Sequence, residues 1–317
     1  MVAPKVTDQE FIKAWQTLKS PDKVAKAIGL NIRNVYERRN RLEAKYGVPL
    51  DTEAPLRRGK ITVPKEGYRS IAEVTGQVIV GSDGHFWPGE RSVSFDALIK
   101  LIKRLEPKMI VMNGDNFDGA RISRHAPGGW ADLPDVAEEL EAVKERLKEV
   151  EDAAPPSCPL LWPAGNHDSR FTARLAQHAP DYVKVQGFDI ADHFPAWQMC
   201  WSVFVNEHTV IKHRFHSGQH GAFNNVLKSG KNIITGHTHK LHAIQYADYN
   251  GLRWGVEGGT LSDFGPHNDK FSYAEDAPHN WSQGFVVLSF NEQGVLLEPE
   301  FCRVIKGLPY FRGSVVE

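Results

Sequence analysis

Apolar positions follow two different rhythms along the chain. Through the first fifty residues they recur at helical spacing, and from residue 76 onward they gather into short runs separated by longer helical stretches. Near the start, Thr7 is a helix N-cap and Glu10, three residues on, completes a capping box. Phe11, Ala14, Trp15 and Leu18 then form one helical face. Ser20-Pro21 restarts a helix, with Ser as cap and Pro at the first helical position. Val24, Ala25, Ala27 and Ile28 make its apolar face, and Gly29 suits the left-handed residue that ends it. Asn31 caps a third helix whose Val35 and Leu42 stand one heptad apart, and Tyr46-Gly47 closes it.

In the body, the runs Gln77–Val80, Met109–Met112 and Leu160–Trp162 read as buried strands. Helices are expected over Phe95–Leu105, with Phe95, Leu98, Ile99, Ile102 and Leu105 on one face, and over Pro134–Val150. This alternation predicts an α/β layered domain. Residues 201–215, 232–235, 241–247, 252–257 and 284–290 are rich in β-formers, so a second sheet is expected. Between the two parts, residues 49–70 hold Pro49, Pro55, Pro64 and the run Arg57-Arg58-Gly59-Lys60, and read as a linker. The expected division is 1–48, a small all-α domain; 49–70, a linker; and 71–317, the α/β body.

Charge sharpens this division. Of the 317 residues, the first 60 carry 13 Lys+Arg against 7 Asp+Glu, a net of +6, and the rest carry 25 against 32, a net of −7. A basic head on an acidic body fits a nucleic-acid-facing segment joined to something else. The three cysteines, Cys158, Cys200 and Cys302, are widely spaced, and their odd number argues against a disulfide framework. No apolar run reaches the ~18 residues of a membrane span, and no secretion signal opens the chain, so a cytoplasmic protein without a membrane partner is expected. No pattern calls for an oligomer.

The head resembles the helix-turn-helix family through Ala25, Gly29 and Val35. In that family a small residue lets two helices cross, a glycine makes the turn, and an aliphatic residue anchors the second helix. The resemblance implies DNA as partner and puts Asn31, Arg33, Asn34, Tyr36, Arg38, Arg39 and Arg41 on the recognition surface, with the arginines at phosphates or guanine edges. A three-helix unit that docks on protein is the competing reading.

The ends of the body's strands carry the chemistry. They run into Asp83-Gly84-His85, Gly114-Asp115-Asn116-Phe117-Asp118, Gly165-Asn166-His167-Asp168, His216 and Gly236-His237-Thr238-His239. Ligand sites in layered α/β folds collect at carboxyl ends of strands. Asp, Asn and His bind divalent metals, and glycines beside them let backbone approach closely. Two metals ~3.5–4 Å apart hold a phosphate, generate hydroxide and stabilise a leaving oxygen.

The motifs DxH, GDxxD, GNHD and GHxH, in this order over residues 77 to about 260, resemble the calcineurin-like metallophosphoesterases. The resemblance implies an α/β/β/α sandwich and two divalent metal ions, manganese first, with iron, zinc or nickel also accommodated. Asp83, His85 and His239 would hold one metal; Asn166, His216 and His237 the other; Asp115 would bridge them. His167 would protonate the leaving oxygen or stabilise the transition state, with Asp168 orienting it. His213, His216 and His220 all lie in the interval for the lone histidine. His216 is preferred because it closes an apolar stretch just before Ser217-Gly218.

Phosphoprotein phosphatases of this family carry GDxVDRG and GNHE, whereas this chain has Asp118-Gly119-Ala120 and ends its motif in Asp168. The GNHD and GHTH forms look more like nuclease and cyclic-nucleotide phosphodiesterase branches. Asp118 reads as a structural partner and not a ligand. Arg121 and Arg124 are candidate phosphate clamps, or a solvated loop face. Phe86 and Trp87 are candidates to stack a base, or pack at the rim. The polar stretch 261–283, with His267, His279 and Trp281, is a candidate cover. Together these residues lead us to expect a nuclease or DNA-end phosphatase with a DNA-binding head. One alternative is a small-nucleotide or cyclic-nucleotide phosphodiesterase whose head oligomerises. Another is a DNA-binding regulator with a non-catalytic body.

Overall fold

The computed structural model describes residues 6–18, 21–30, 32–47, 50, 63–125, 132–264, 270 and 280–317. The chain divides into two compact units, residues 1–60 and 61–317.

The first unit holds α1 (Asp8–Leu18), α2 (Pro21–Ile28) and α3 (Ile32–Tyr46). The expected capping box at α1 is present. The Thr7 N–H donates to Glu10 Oε2 at 2.8 Å, and the Glu10 N–H donates to Thr7 Oγ1 at 3.3 Å. Gly29 ends α2 with φ +66°, a conformation that favours glycine. Phe11, Trp15, Val24, Val35 and Leu42 fill the core, with Leu50 packed among them. The N-caps expected at Ser20 and Asn31 lie outside the described residues.

The second unit is built on two mixed sheets. Its strands are β1 (Lys65–Glu66), β2 (Arg69–Ala72), β3 (Gly76–Gly81), β4 (Met109–Met112), β5 (Leu160–Pro163), β6 (Gln198–Cys200), β7 (Ser202–Val205), β8 (Thr209–Lys212), β9 (Asn232–Thr235), β10 (Leu241–Asp248), β11 (Gly251–Gly258), β12 (Gly284–Phe290), β13 (Glu300–Ile305), β14 (Leu308–Phe311) and β15 (Ser314–Val315). One sheet runs β1-β2-β7-β8-β9-β11-β10, and the other runs β15-β14-β13-β12-β3-β4-β5-β6. Since β2 pairs with β7 in parallel, residues expected at the end of the linker are part of the body's sheet.

Strand alternation sorts the core into two layers. In β3, Val78 and Val80 face the other sheet and pack with Val203, Val205, Ile211 and Ile234. Ile79, between them, faces the helices α4 (Val93–Leu105) and α5 (Val136–Ala153), with Phe95, Leu98, Leu101 and Leu140. Helix α6 (Asp168–His178) follows β5. Helix α7 (Gly221–Ser229) packs against β9, β10 and β11. The result is an α/β/β/α sandwich with a small helical unit ahead of it. The three cysteines are buried. Among the described residues no helix is long and apolar enough to cross a membrane.

Candidate metal centre

The parallel strands β3, β4 and β5 deliver their loops to one edge of the sandwich, and β8 and β9 deliver theirs from the facing sheet. Among the described residues three groups result whose ligand atoms lie within 4.8 Å of one another: Asp83, His85 and His239; Asp115, His213 and His237; and His85, Asp118 and His167. His239 Nε2 lies 3.2 Å from Asp83 Oδ1, and His213 Nε2 lies 3.0 Å from Asp115 Oδ2. The Asp83 and Asp115 groups adjoin: the His237 N–H donates to Asp83 Oδ1 at 3.0 Å and Oδ2 at 2.9 Å.

The backbone is bent hard to achieve this. Asp83, His85, Asp115, His237 and His239 all have positive φ, between +41° and +69°. Such strain in non-glycine residues persists where the surroundings enforce it, and it clusters at functional sites. The neighbouring glycines make the room. A Cβ on Gly165 would lie 2.0 Å from Asp115 Oδ1, one on Gly114 2.5 Å from His213 Nδ1, and one on Gly236 2.6 Å from Asp83 Oδ2.

His213, not His216, joins the centre. β8 ends at Lys212, sooner than the apolar pattern through Phe215 implied, so His213 is the first residue past the strand's carboxyl end. His213 is buried, and its Nδ1 lies 2.8 Å from the Asn113 carbonyl, which leaves Nε2 toward Asp115. His216 lies beyond the bend, where its backbone N–H donates to Asn225 Oδ1 at 2.8 Å. His220 stands at the start of α7.

A second correction concerns the two later carboxylates. Asp168 does not orient His167. It is buried and accepts five N–H groups: backbone Asp115 (2.8 Å), Asn116 (3.0 Å), Phe117 (3.1 Å) and Gly165 (2.7 Å), and Trp162 Nε1 (2.9 Å). It therefore ties the GDxxD loop to the GNHD loop. Asp118 is the carboxylate that holds His167, 2.6 Å from its Nδ1, and it also lies 3.0 Å from His85 Nδ1. With Nδ1 engaged, Nε2 would be the ligand atom of His85. The His167 N–H donates to Asp115 Oδ1 at 2.7 Å, so the loop that carries His167 is fastened to the centre.

The remaining expected residues divide. Phe86 is buried in the helix-side core edge-on to Phe95, so its face does not stack a base. Trp87 is half-buried and its Nε1 donates to Asp118 Oδ2 at 3.3 Å. Arg121 donates to the Pro134 and Leu133 carbonyls, which commits its guanidinium to a loop. Arg124 is exposed and lines a groove beside Asn166. Trp281 lies over His239, ring centroids 4.5 Å apart, while His267 and His279 lie outside the described residues. In the head, Arg38 donates to the Val6 carbonyl and Asp8 and covers the Phe11 ring, and Arg39 pairs with Glu43 over Trp15. Both are held by the helical unit. Asn34 and Arg41 are exposed. Asn31 and the side chains of Arg33 and Tyr36 lie outside the described residues.

The electrostatics favour a cation. Burial alone would raise Asp83 and Asp115, but the histidines against them outweigh it and hold both carboxyls below the usual range. Burial pushes His85 down to about 4, leaving a neutral imidazole suited to ligation. His213 is the converse: burial is overcome by Asp115 and Asp83, which raise it to about 10. Without metal, an imidazolium proton is the positive charge between two carboxylates, and a divalent ion suits the same place. Asn166 Oδ1 is buried with no hydrogen-bond partner among the described residues, as a ligand oxygen would be. The donor set, carboxylates, imidazoles and one amide oxygen, fits first-row divalent metals.

A sequence profile of calcineurin-like phosphoesterases matches residues 77–253, over half of the chain. The chain belongs to the calcineurin-like phosphoesterase family. It is a metal-dependent phosphoesterase. A curated relative, the gene 54 protein of Mycobacterium phage L5, is 26% identical over 269 residues, 76% of this chain and 98% of its own length. Among solved structures, a zinc-complexed Vps29 from Entamoeba histolytica aligns at TM-score 0.39 and 11% identity over 76% of this chain and 99% of its own. An archaeal phosphodiesterase aligns at TM-score 0.36 and 14% identity over 72% and 99%.

Proposed function

We propose that this phosphoesterase hydrolyses phosphodiester bonds in DNA, using two divalent metal ions, with manganese as the preferred metal. The observation that carries the reading is the pair of adjoining ligand groups with His167 fastened beside Asp115. Asp83, His85 and His239 would hold one ion, Asn166, His213 and His237 the other, with Asp115 between them. When bound, the metals supply a hydroxide nucleophile and charge neutralisation at the phosphate.

His167 has its own task. Burial would lower its pKa, but Asp118 and Asp115 outweigh that and raise it above the ordinary imidazole value. Both carboxylates therefore favour its protonated form, the form able to protonate a leaving alkoxide. A diester needs that proton, because its leaving group is poor without it.

DNA as substrate is supported by the basic head, net +6, and by Arg41 and Asn34 exposed on α3. Phosphate contacts from such a head raise the local concentration of substrate at the body. The test compares Mn-dependent hydrolysis of bis-p-nitrophenyl phosphate with that of labelled single- and double-stranded DNA, with Asp115→Asn and His167→Ala as controls. Cleavage of diester and DNA, lost in both variants, is the expected result. Cleavage of the diester with DNA untouched would overturn the DNA substrate and favour a small nucleotide.

A further inference from the structure

Beside Asn166, the surface of the body opens into a groove of about 420 Å³. One wall is the outer face of α6, with Arg170, Arg174 and Gln177; the others are Arg124 and Arg214, the latter directly following His213. Among the described residues no carboxylate lines it. Arg170 is oriented at its inner end, donating to the Asp118 carbonyl at 2.9 Å and lying 3.2 Å from His167 Nε2. Arg124, Arg174 and Arg214 have no ion-pair partner among the described residues, and all three are exposed.

Unpaired arginines converging on one concavity repel each other, and the arrangement is stable chiefly when something anionic enters it. The placement says what. The groove begins at a candidate metal ligand, so its occupant is continuous with whatever the metals hold. Ser169 to Gln177 spans about 12 Å at the helical rise. That is room for more than one phosphate of a strand. A mononucleotide has one phosphate, which the metal centre already takes.

Resting on the phosphodiester reading above, we propose that this groove binds backbone phosphates flanking the scissile bond of a polynucleotide strand, and so makes the enzyme select polymer over mononucleotide. Arg174 is one helical turn beyond Arg170 and meets a phosphate that a small diester lacks.

The test uses the full-length protein with Mn and three substrates: bis-p-nitrophenyl phosphate, a thymidine dinucleotide and a 20-nucleotide single strand. The variants are Arg174→Gln and Gln177→Arg, both on the exposed face of α6. For the wild type, kcat/KM should rise with strand length. In Arg174→Gln, KM for the 20-mer should rise about tenfold, and the slope of log KM against log salt should fall by about 0.7, the value of one phosphate contact on a single strand. Hydrolysis of bis-p-nitrophenyl phosphate should not change. Gln177→Arg should lower KM for the 20-mer and steepen the slope. If the 20-mer is cleaved but neither variant alters its KM or salt slope, the groove is not the strand's path. If the wild type cleaves the small diester and leaves the 20-mer and dinucleotide intact, the polynucleotide reading itself has failed.

Discussion

Asp118 lies 2.6 Å from His167 Nδ1, whereas Asp168 accepts five N–H groups from two loops and strand β5, and this difference predicts different losses. Asp118→Asn should lower kcat for a small diester by about 10² to 10⁴, the usual scale of general acid catalysis, with KM little changed. It should also move the alkaline limb of kcat to lower pH. Asp118 raises the His167 pKa, so without that charge the imidazolium is lost at a lower pH. Asp168→Asn should instead unfold the protein more easily, because an amide presents N–H to at least one buried N–H donor. A loss of roughly 2–4 kcal/mol is expected, read from urea midpoints. Burial, with the Asp115 charge, pushes Asp168 up to about 6 against its donors, so the native arrangement is already finely balanced. The two acids were hard to tell apart in the sequence. Both follow an Asp or His motif at a strand end, and only the spatial neighbours separate a residue that holds His167 from one that ties loops. His213 was missed for a related reason. The strand-like stretch reaches Phe215, but hydrogen bonding stops at Lys212, and the sequence pattern reports side-chain character instead of where a ladder ends.

At the scale of elements, strand ends and the glycines beside them set the site. The ligands on β3, β4, β5 and β9 were legible because each sits in a short motif directly after an apolar run. What the sequence hid was the crowding. Gly165→Ala would set a Cβ 2.0 Å from Asp115 Oδ1, so it should weaken Mn binding about 10- to 100-fold while far-UV circular dichroism stays unchanged, as titration calorimetry would show. Helix α5 contributes in another way. Its buried Glu139 accepts the N–H groups of Gly119 and Ala120, at 3.0 and 3.3 Å, just past the GDxxD motif. Burial, helped by Asp118, pushes Glu139 up to about 7. Above its ordinary value of 4.5 the unfolded chain has released this proton, whereas the folded chain holds it until about pH 7. Stability attributable to Glu139 is thus fully present below pH 4.5 and drains as pH rises to 7. The total is roughly 3 kcal/mol. Glu139→Gln in the metal-free protein should flatten that decline, which chemical denaturation at pH 5 and pH 8 would reveal. Periodicity placed α5 correctly, but nothing in a charged helix marks which glutamate turns inward.

For the whole molecule, the chain divides into residues 1–60 and 61–317, and β1 and β2, which overlap the expected linker 49–70, belong to the second unit. Arg38 and Arg39, expected at DNA, pack over Phe11 and Trp15, and an arginine stem covers apolar surface as readily as its head meets phosphate. Arg41 is the more telling position. Arg41→Ala should reduce the salt slope of DNA binding by about 1 without changing hydrolysis of a small diester. The central claim is that His213 and Asp115, with the other strand-end ligands, hold the metals that hydrolyse phosphoesters. The most direct measurement is hydrolysis of bis-p-nitrophenyl phosphate by the wild type, Asp115→Asn, His213→Ala and His216→Ala, each with Mn and with chelator. The account predicts turnover that chelator abolishes, loss of at least about 10³ in the first two variants, and a nearly normal rate in His216→Ala. Wild-type turnover in His213→Ala, or turnover indifferent to chelator, would contradict it.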